Sequence, residues 1–147
     1  MTASRFHIRF RTGPTGEAGP FVARYHNSAG IVSLGVTLLR DWPVGLNLDP
    51  MIFDMQGDGG LDHVDIRMSP GIALAENRAA PSARYVRLYL TPNRWDAPEV
   101  VVVRHRAEGR VIYRFDDRAA DRELALGPGV FALAAGDELL GFSLQTA

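Results

Sequence analysis

Residues 4–11 read SRFHIRFR, and this stretch decides the fold class. Phe6, Ile8 and Phe10 alternate with polar or basic residues. Because successive side chains of a β-strand point to opposite faces, the pattern predicts a strand with one buried and one solvated face. No stretch of the chain repeats its apolar residues as clearly with the 3.6-residue period of a long helix.

The same short, β-branched or aromatic pattern recurs along the chain, bounded by turn residues. It predicts further strands at 31–40, 84–91, 99–106, 110–116, 130–135 and 138–145. The turns Ala107-Glu108-Gly109 and Gly136-Asp137 predict two hairpins among them. We therefore predict one all-β domain over 1–147, an antiparallel β-sandwich or jelly roll with little or no helix. One short helical patch is plausible at 70–83.

Composition excludes several classes of function. The chain has 147 residues, no cysteine and a formal net charge of −1, so thiol catalysis, thiolate metal sites and disulfides are absent, and nothing favours nucleic acid. Residues 1–11 contain no apolar signal sequence, and no later run resembles a membrane span. We expect no nucleic-acid partner and no membrane insertion, and a virion or cell surface is one location that fits.

The acidic stretch DMQGDGGLDHVD (54–65) resembles a calcium loop in its spacing. Its candidate oxygen ligands are Asp54, Gln56, Asp58, Gly60 (through its carbonyl), Asp62 and Asp65. Helices cannot flank it as in an EF-hand, because Pro50 precedes it and an alternating segment follows. Two interpretations remain: a strand-flanked Ca²⁺ loop, similar to the aspartate-rich loops of extracellular β-proteins, or a hairpin turning at Asp58-Gly59.

Both tryptophans stand beside an aspartate in loops that contain proline, at Trp42 and at Trp95-Asp96. An aromatic ring next to a carboxylate is a suitable platform for a sugar, because the ring stacks on the apolar sugar face and the acid accepts hydroxyl hydrogen bonds. The alternative is that each indole folds back as a lid over the end of the sandwich.

Two features favour assembly with other chains. Tyr85, Arg87 and Tyr89 share one face of a predicted strand, and tyrosine and arginine are enriched at protein interfaces. GPTGEAGPF (13–21) has glycine at every third position, like a collagen segment too short to form a triple helix alone. We interpret it as a flexible loop between strands, and the alternative is a fibre-like segment, which would require a trimer.

Catalytic motifs are missing from the sequence. No serine lies in a G-x-S-x-G turn, no HExxH occurs, and 116–123 is interpreted as a solvated charged linker. We therefore predict a non-enzymatic structural or interaction module that self-associates, trimerisation being favoured, or decorates a larger assembly, such as a virion decoration, spike or fibre-head component. The alternatives are a calcium-dependent carbohydrate-binding module and a small hydrolase in which His63 or His105 meets carboxylates.

Overall fold

The computed structural model describes residues 5–16, 19–36, 44–76 and 84–147. Twelve strands and no α-helix lie in these ranges. The strands are β1 Ile8–Pro14, β2 Val22–His26, β3 Ile31–Gly35, β4 Val44–Leu48, β5 Met51–Met55, β6 Leu61–Ile66, β7 Val86–Pro92, β8 Val103–Ala107, β9 Arg110–Arg114, β10 Arg122–Gly127, β11 Val130–Ala135 and β12 Glu138–Gln145. Within the same ranges, no helix is long and apolar enough to cross a membrane.

The described strands form two antiparallel sheets that pack face to face. One sheet has five strands in the order β2-β3-β6-β5-β4. The other has seven strands: five follow the order β10-β11-β12-β1-β7, and β9 pairs with β12 and carries β8 on its other side. The predicted all-β sandwich is confirmed, as are both predicted hairpins, β8–β9 and β11–β12.

In the seven-stranded sheet, one edge of β12 pairs with two different strands, β1 and β9. Near its start Glu138 lies opposite Arg9 of β1, while Gly141–Gln145 pairs with β9 along the same edge. The other edge of β12 pairs with β11. Six consecutive residues, 139–144, are buried, so both faces of this strand are covered. The strand β12 is therefore the centre of the sheet.

The hydrophobic core lies between the two sheets. The alternation in 4–11 holds there, since Phe6, Ile8 and Phe10 are all buried. The ring of Phe53, from the five-stranded sheet, packs at a centroid distance of 6.0 Å from Phe142 in the opposite sheet. Such rings bury large apolar areas, and this burial is the main term that holds the sheets together.

The strand predicted at 4–11 begins and ends later than expected. It runs from Ile8 to Pro14, because its pairing with β7 continues as far as Pro14 opposite Val86. The first two residues of the collagen-like stretch are therefore strand, not loop. Residues 15–16 and 19–21 lie in no strand, and 17–18 lie outside the described residues.

Two other predicted elements need correction. The strand predicted at 99–106 begins only at Val103, because the Val100 amide donates to the Ala97 carbonyl at 3.0 Å and closes a turn. The helical patch at 70–83 is wrong over 70–76, where Leu74 instead forms an antiparallel bridge with Thr146. Its remainder, 77–83, lies outside the described residues, as does the end of the predicted strand 31–40, from 37 onward.

Candidate functional site

Residues 54–65 form the hairpin between β5 and β6. The Gly59 amide donates to the Gln56 carbonyl at 2.9 Å, so the tight turn has Gly57 and Asp58 at its centre. The stretch is therefore a hairpin, and its turn lies one residue earlier than the predicted Asp58-Gly59.

The tip of this hairpin docks on β7, in the other sheet. The Leu90 amide donates to the Gly59 carbonyl at 2.8 Å, and Gly60 forms an antiparallel bridge with Tyr89. Gly59 has φ of +91°, and a Cβ there would lie 2.6 Å from the Leu90 carbonyl oxygen. The positive φ and the close approach to β7 together explain why glycine occupies this position.

Four of the predicted calcium ligands are engaged in contacts within or next to the hairpin, and one of them is the Gly60 carbonyl, which accepts the Gln56 backbone amide at 2.9 Å. The Asp62 carboxylate is buried and accepts hydrogen bonds from the Gln56 amide and from the Arg87 guanidinium of β7. Asp58 accepts the Gly60 amide at 2.9 Å, as turn aspartates commonly do. Asp62 therefore anchors the hairpin to β7 through an ion pair.

The other two aspartates flank a histidine on the outer face of the five-stranded sheet. His63 Nδ1 lies 3.6 Å from Asp54 and Nε2 lies 3.5 Å from Asp65. Gly35 leaves room for the imidazole, since a Cβ there would lie 2.5 Å from its Cδ2. Among the described residues, no group of three or more His, Asp or Glu side chains suitable for a metal ion is found. The calcium loop stays a prediction.

A groove of about 610 Å³ runs beside His63 and is lined by Arg24, His26 and Ser33 among others. The structure thus brings His63 close to carboxylates, as the hydrolase hypothesis requires. However, the Ser33 hydroxyl donates to Asp65 at 2.9 Å. An activated serine would instead donate to the imidazole, so Ser33 and His63 are not arranged as nucleophile and base. The hydrolase hypothesis stays a prediction.

The two tryptophan loops differ in what the structure describes. Trp95 is 53 % exposed and the adjacent Asp96 is also exposed, so this indole does not form a buried lid. Asp96 forms an isolated parallel β-bridge with Asn47 of β4. Trp42 lies outside the described residues.

The predicted interface residues lie at β7, with Tyr85 just before the strand. Two arginines lie over the Tyr89 ring, with the Arg11 guanidinium 4.1 Å and the Arg87 guanidinium 5.5 Å from the ring centroid. Arg87 also holds Asp62. This face is therefore partly occupied by contacts within the chain, and its role as an interface stays a prediction.

The strand β8 is a more open surface. All five of its residues are exposed, and among the described strands it pairs with β9 alone. Val101 and Val103 expose 71 % and 53 % of their surfaces, whereas Val102 between them is buried. This alternation gives the edge an apolar outer face.

A groove of about 880 Å³, here called the β8 groove, lies next to this edge. Apolar lining comes from Val101, Val103 and the rings of Phe6 and Phe115, while charged side chains form much of the remainder. The groove combines apolar surface with polar groups, as pockets that bind ligands or peptide side chains do.

An ion-pair network supports one wall of the β8 groove. The Asp116 side chain is only 6 % exposed and pairs with Arg5 and Arg118, and Arg118 also pairs with Glu138. Burial alone would raise the pKa of Asp116, but the hydrogen bonds and charge of Arg118, with the charge of Arg5, outweigh it and lower that pKa. The interpretation of 116–123 as a solvated linker is therefore wrong at Asp116, and Arg122 and Glu123 belong to β10.

Two arginines, Arg104 and Arg106, line the inner side of β8. Arg104 donates to the Ser69 carbonyl and Arg106 to the Gly71 carbonyl. On the neighbouring strand β9, the hydroxyl of Tyr113, which lies opposite Arg104, donates to the Met68 carbonyl at 2.8 Å. Burial raises the pKa of Tyr113 strongly, and the charge of Arg104 offsets this only in part, so Tyr113 stays a neutral donor.

Sequence reasoning identified the β8 strand but not its exposed face. The run of four valines at 100–103 has no polar residue to mark which positions face solvent. The available signal was the segment that follows, RHRA, because three consecutive basic or imidazole side chains are unusual in a strand covered on both faces.

Comparison of the chain with protein-family models, with curated proteins and with solved structures finds no significant match.

Proposed function

We propose that the protein is a non-enzymatic interaction module that binds a partner protein by adding one strand of that partner to β8. The observation that carries this proposal is the exposure of all five β8 residues, Val103 among them, next to the exposed Val101. A sheet edge presents unpaired amide and carbonyl groups, and these form a template for another strand.

The β8 groove supports this function. A strand added to β8 directs alternate side chains to one face, where Val101, Val103 and Phe115 offer apolar surface. Main-chain hydrogen bonds would then supply affinity, and the groove would select among side chains. Such a module suits a component that decorates a larger assembly, for example a virion decoration, spike or fibre head at a virion or cell surface.

A displayed library of random twelve-residue peptides tests the function. We expect the protein to select peptides whose binding is lost in Val103→Glu, because a charge on the outer face disrupts apolar contacts along the edge. Val44→Glu is the matched control, since Val44 is 38 % exposed on the edge strand β4 of the other sheet. If no selected peptide distinguishes these two variants, β8 is not the binding surface.

Self-association is a separate property of the same proposal. Light scattering of the purified protein measures it directly, and a trimer would agree with an interface formed by Tyr85, Arg87 and Tyr89. A strict monomer at high concentration would remove self-association and leave partner binding at β8 intact.

A second candidate function is carbohydrate binding at Trp95 and Asp96, favoured by the 53 % exposure of the indole. We expect Trp95→Ala to abolish any glycan binding measured on a glycan array. Thermal melts with millimolar Ca²⁺ or with a chelator test the calcium requirement, because an ion that binds only the folded state raises the melting temperature. Equal melting temperatures would remove the Ca²⁺ loop from this candidate.

A further inference from the structure

The two faces of β8 carry different chemistry. Arg104 and Arg106 lie opposite the buried Tyr113 and Val111 of β9, so they share the inner face of the strand. Val103 and His105, on the outer face, lie opposite Arg114 and Ile112. A strand that pairs with β8 therefore meets arginines at every second position on one side.

The charges of these two arginines are not neutralised within the described residues. Both guanidinium groups donate to backbone carbonyls, at Ser69 and Gly71, and no described carboxylate pairs with either. A guanidinium has five N–H donors, so each group can also bind a carboxylate. The inner side of the edge is thus a pair of positive charges with donors to spare.

An added strand would place side chains close to these charges. Neighbouring strands lie about 4.8 Å apart, and side chains directly opposite each other have their Cβ atoms within about 5.5 Å. Opposite charges at such positions stabilise strand pairing, and like charges destabilise it. Carboxylates opposite Arg104 and Arg106 are therefore the best match.

The same rule disfavours a second copy of β8 as the occupant. Antiparallel pairing of two copies about His105 would place Arg104 of one copy opposite Arg106 of the other, twice. Like charges would then face each other at both positions. The charge pattern favours a strand of a different sequence.

We propose that the occupant of the β8 edge is an extended acidic segment of a partner protein. It carries Asp or Glu at two positions separated by one residue, opposite Arg104 and Arg106, with apolar β-branched residues at the alternating positions that meet Val103 and the β8 groove. This inference rests on the proposed function and adds the chemistry of the partner.

The sequences of the selected peptides are the first test. We expect two acidic residues at alternate positions, with Val, Ile or Thr between and beside them. In fluorescence polarisation with the full protein, changing both acids to amides should weaken the binding of a selected peptide about tenfold. Each ion pair supplies part of the free energy that a tenfold change in affinity requires, and the two pairs together supply it. Binding should also weaken as salt rises. These changes are made in the peptide, so the protein itself stays unaltered.

A second test alters the protein. Arg104→Gln with Arg106→Gln should remove the preference for acid over amide peptides, while Arg24→Gln, an exposed arginine on the edge strand β2, should leave it unchanged. Circular dichroism melts establish that each variant folds.

The outcomes separate the two proposals. Peptides that need Val103 but carry no alternating acids, or that bind equally well as amides, overturn the acidic partner and leave the function of β8 standing. Protein that is dimeric, and becomes monomeric in Val103→Glu, shows that a second copy fills the edge and also overturns it. Peptides that bind Val103→Glu as tightly as the wild type overturn both the binding function of β8 and the acidic partner.

Discussion

Gly57 and Gly59 lie two residues apart in one hairpin and differ in what surrounds them. A Cβ added to Gly57 would have no heavy atom within 4 Å, whereas Gly59 has φ of +91° and lies against the Leu90 carbonyl. The sequence alone shows two equivalent glycines in an acidic loop. It cannot show the difference, because the atoms that restrict Gly59 belong to β7.

Gly59→Ala should therefore lower the free energy of unfolding, by about 1–3 kcal/mol, since a non-glycine residue is strained at that φ. Gly57→Ala in the same loop should be neutral or slightly stabilising. Urea denaturation of both variants measures this difference. Equal midpoints would show that the hairpin tip does not dock on β7 as described.

Asp116 gives a pH dependence at the residue scale. Because its pKa is lower in the folded state than in the unfolded chain, its contribution is present above the unfolded value of about 3.9 and is lost as pH falls through the folded value. Asp116→Asn should be less stable than the wild type at neutral pH, and the difference should shrink in acid. The neighbouring exposed Asp117→Asn is the control, and parallel pH profiles for wild type and Asp116→Asn would contradict the assignment.

The hairpin of β5 and β6 was recognised in the sequence as an acidic turn, but its main contact was not. The sequence identified a turn with acidic residues and left its purpose open between calcium and hairpin. Structure shows that Asp62 is buried against Arg87, a partner 25 positions away that spacing cannot suggest. The strands β2, β4, β5 and β10 escaped prediction because prolines, glycines or charges interrupt or adjoin them.

The Asp62–Arg87 pair should stabilise the joint between the sheets more than a surface pair does. Their side chains are 8 % and 14 % exposed, so Asp62→Ala leaves a buried guanidinium charge unpaired and should cost about 3 kcal/mol. Glu123→Ala, which removes the exposed partner of Arg110, should cost about 1 kcal/mol or less. Chemical denaturation measures both; similar losses would mean that the buried pair does not hold the hairpin.

For the whole molecule, alternation predicted the fold class but not the order of strands. Each alternating segment needs a partner face, and this requirement makes a sandwich the natural solution. Which strands become neighbours depends on pairings between distant parts of the sequence, such as Arg9 with Glu138. Local patterns carry no information about them. For the same reason the β8 edge could be located only once its one neighbour among the described strands, β9, was known.

These distant pairings predict slow folding. Antiparallel sandwiches dominated by non-local contacts fold in milliseconds to seconds, because the entropy of loop closure must be overcome before the contacts form. Stopped-flow refolding followed by tryptophan fluorescence measures the rate. Complete refolding within microseconds would contradict the described topology.

The position of β12 has a consequence for synthesis on the ribosome. It is the last described strand in chain order, yet it is the neighbour of β1, β9 and β11. While the chain emerges, these three strands lack the neighbour that β12 provides, and Ile8 and Phe10 of β1 await the core that later strands complete. The nascent chain is therefore exposed to aggregation until β12 leaves the exit tunnel, and only then can the strand pairs β1–β7, β8–β9 and β10–β11 join into one sheet.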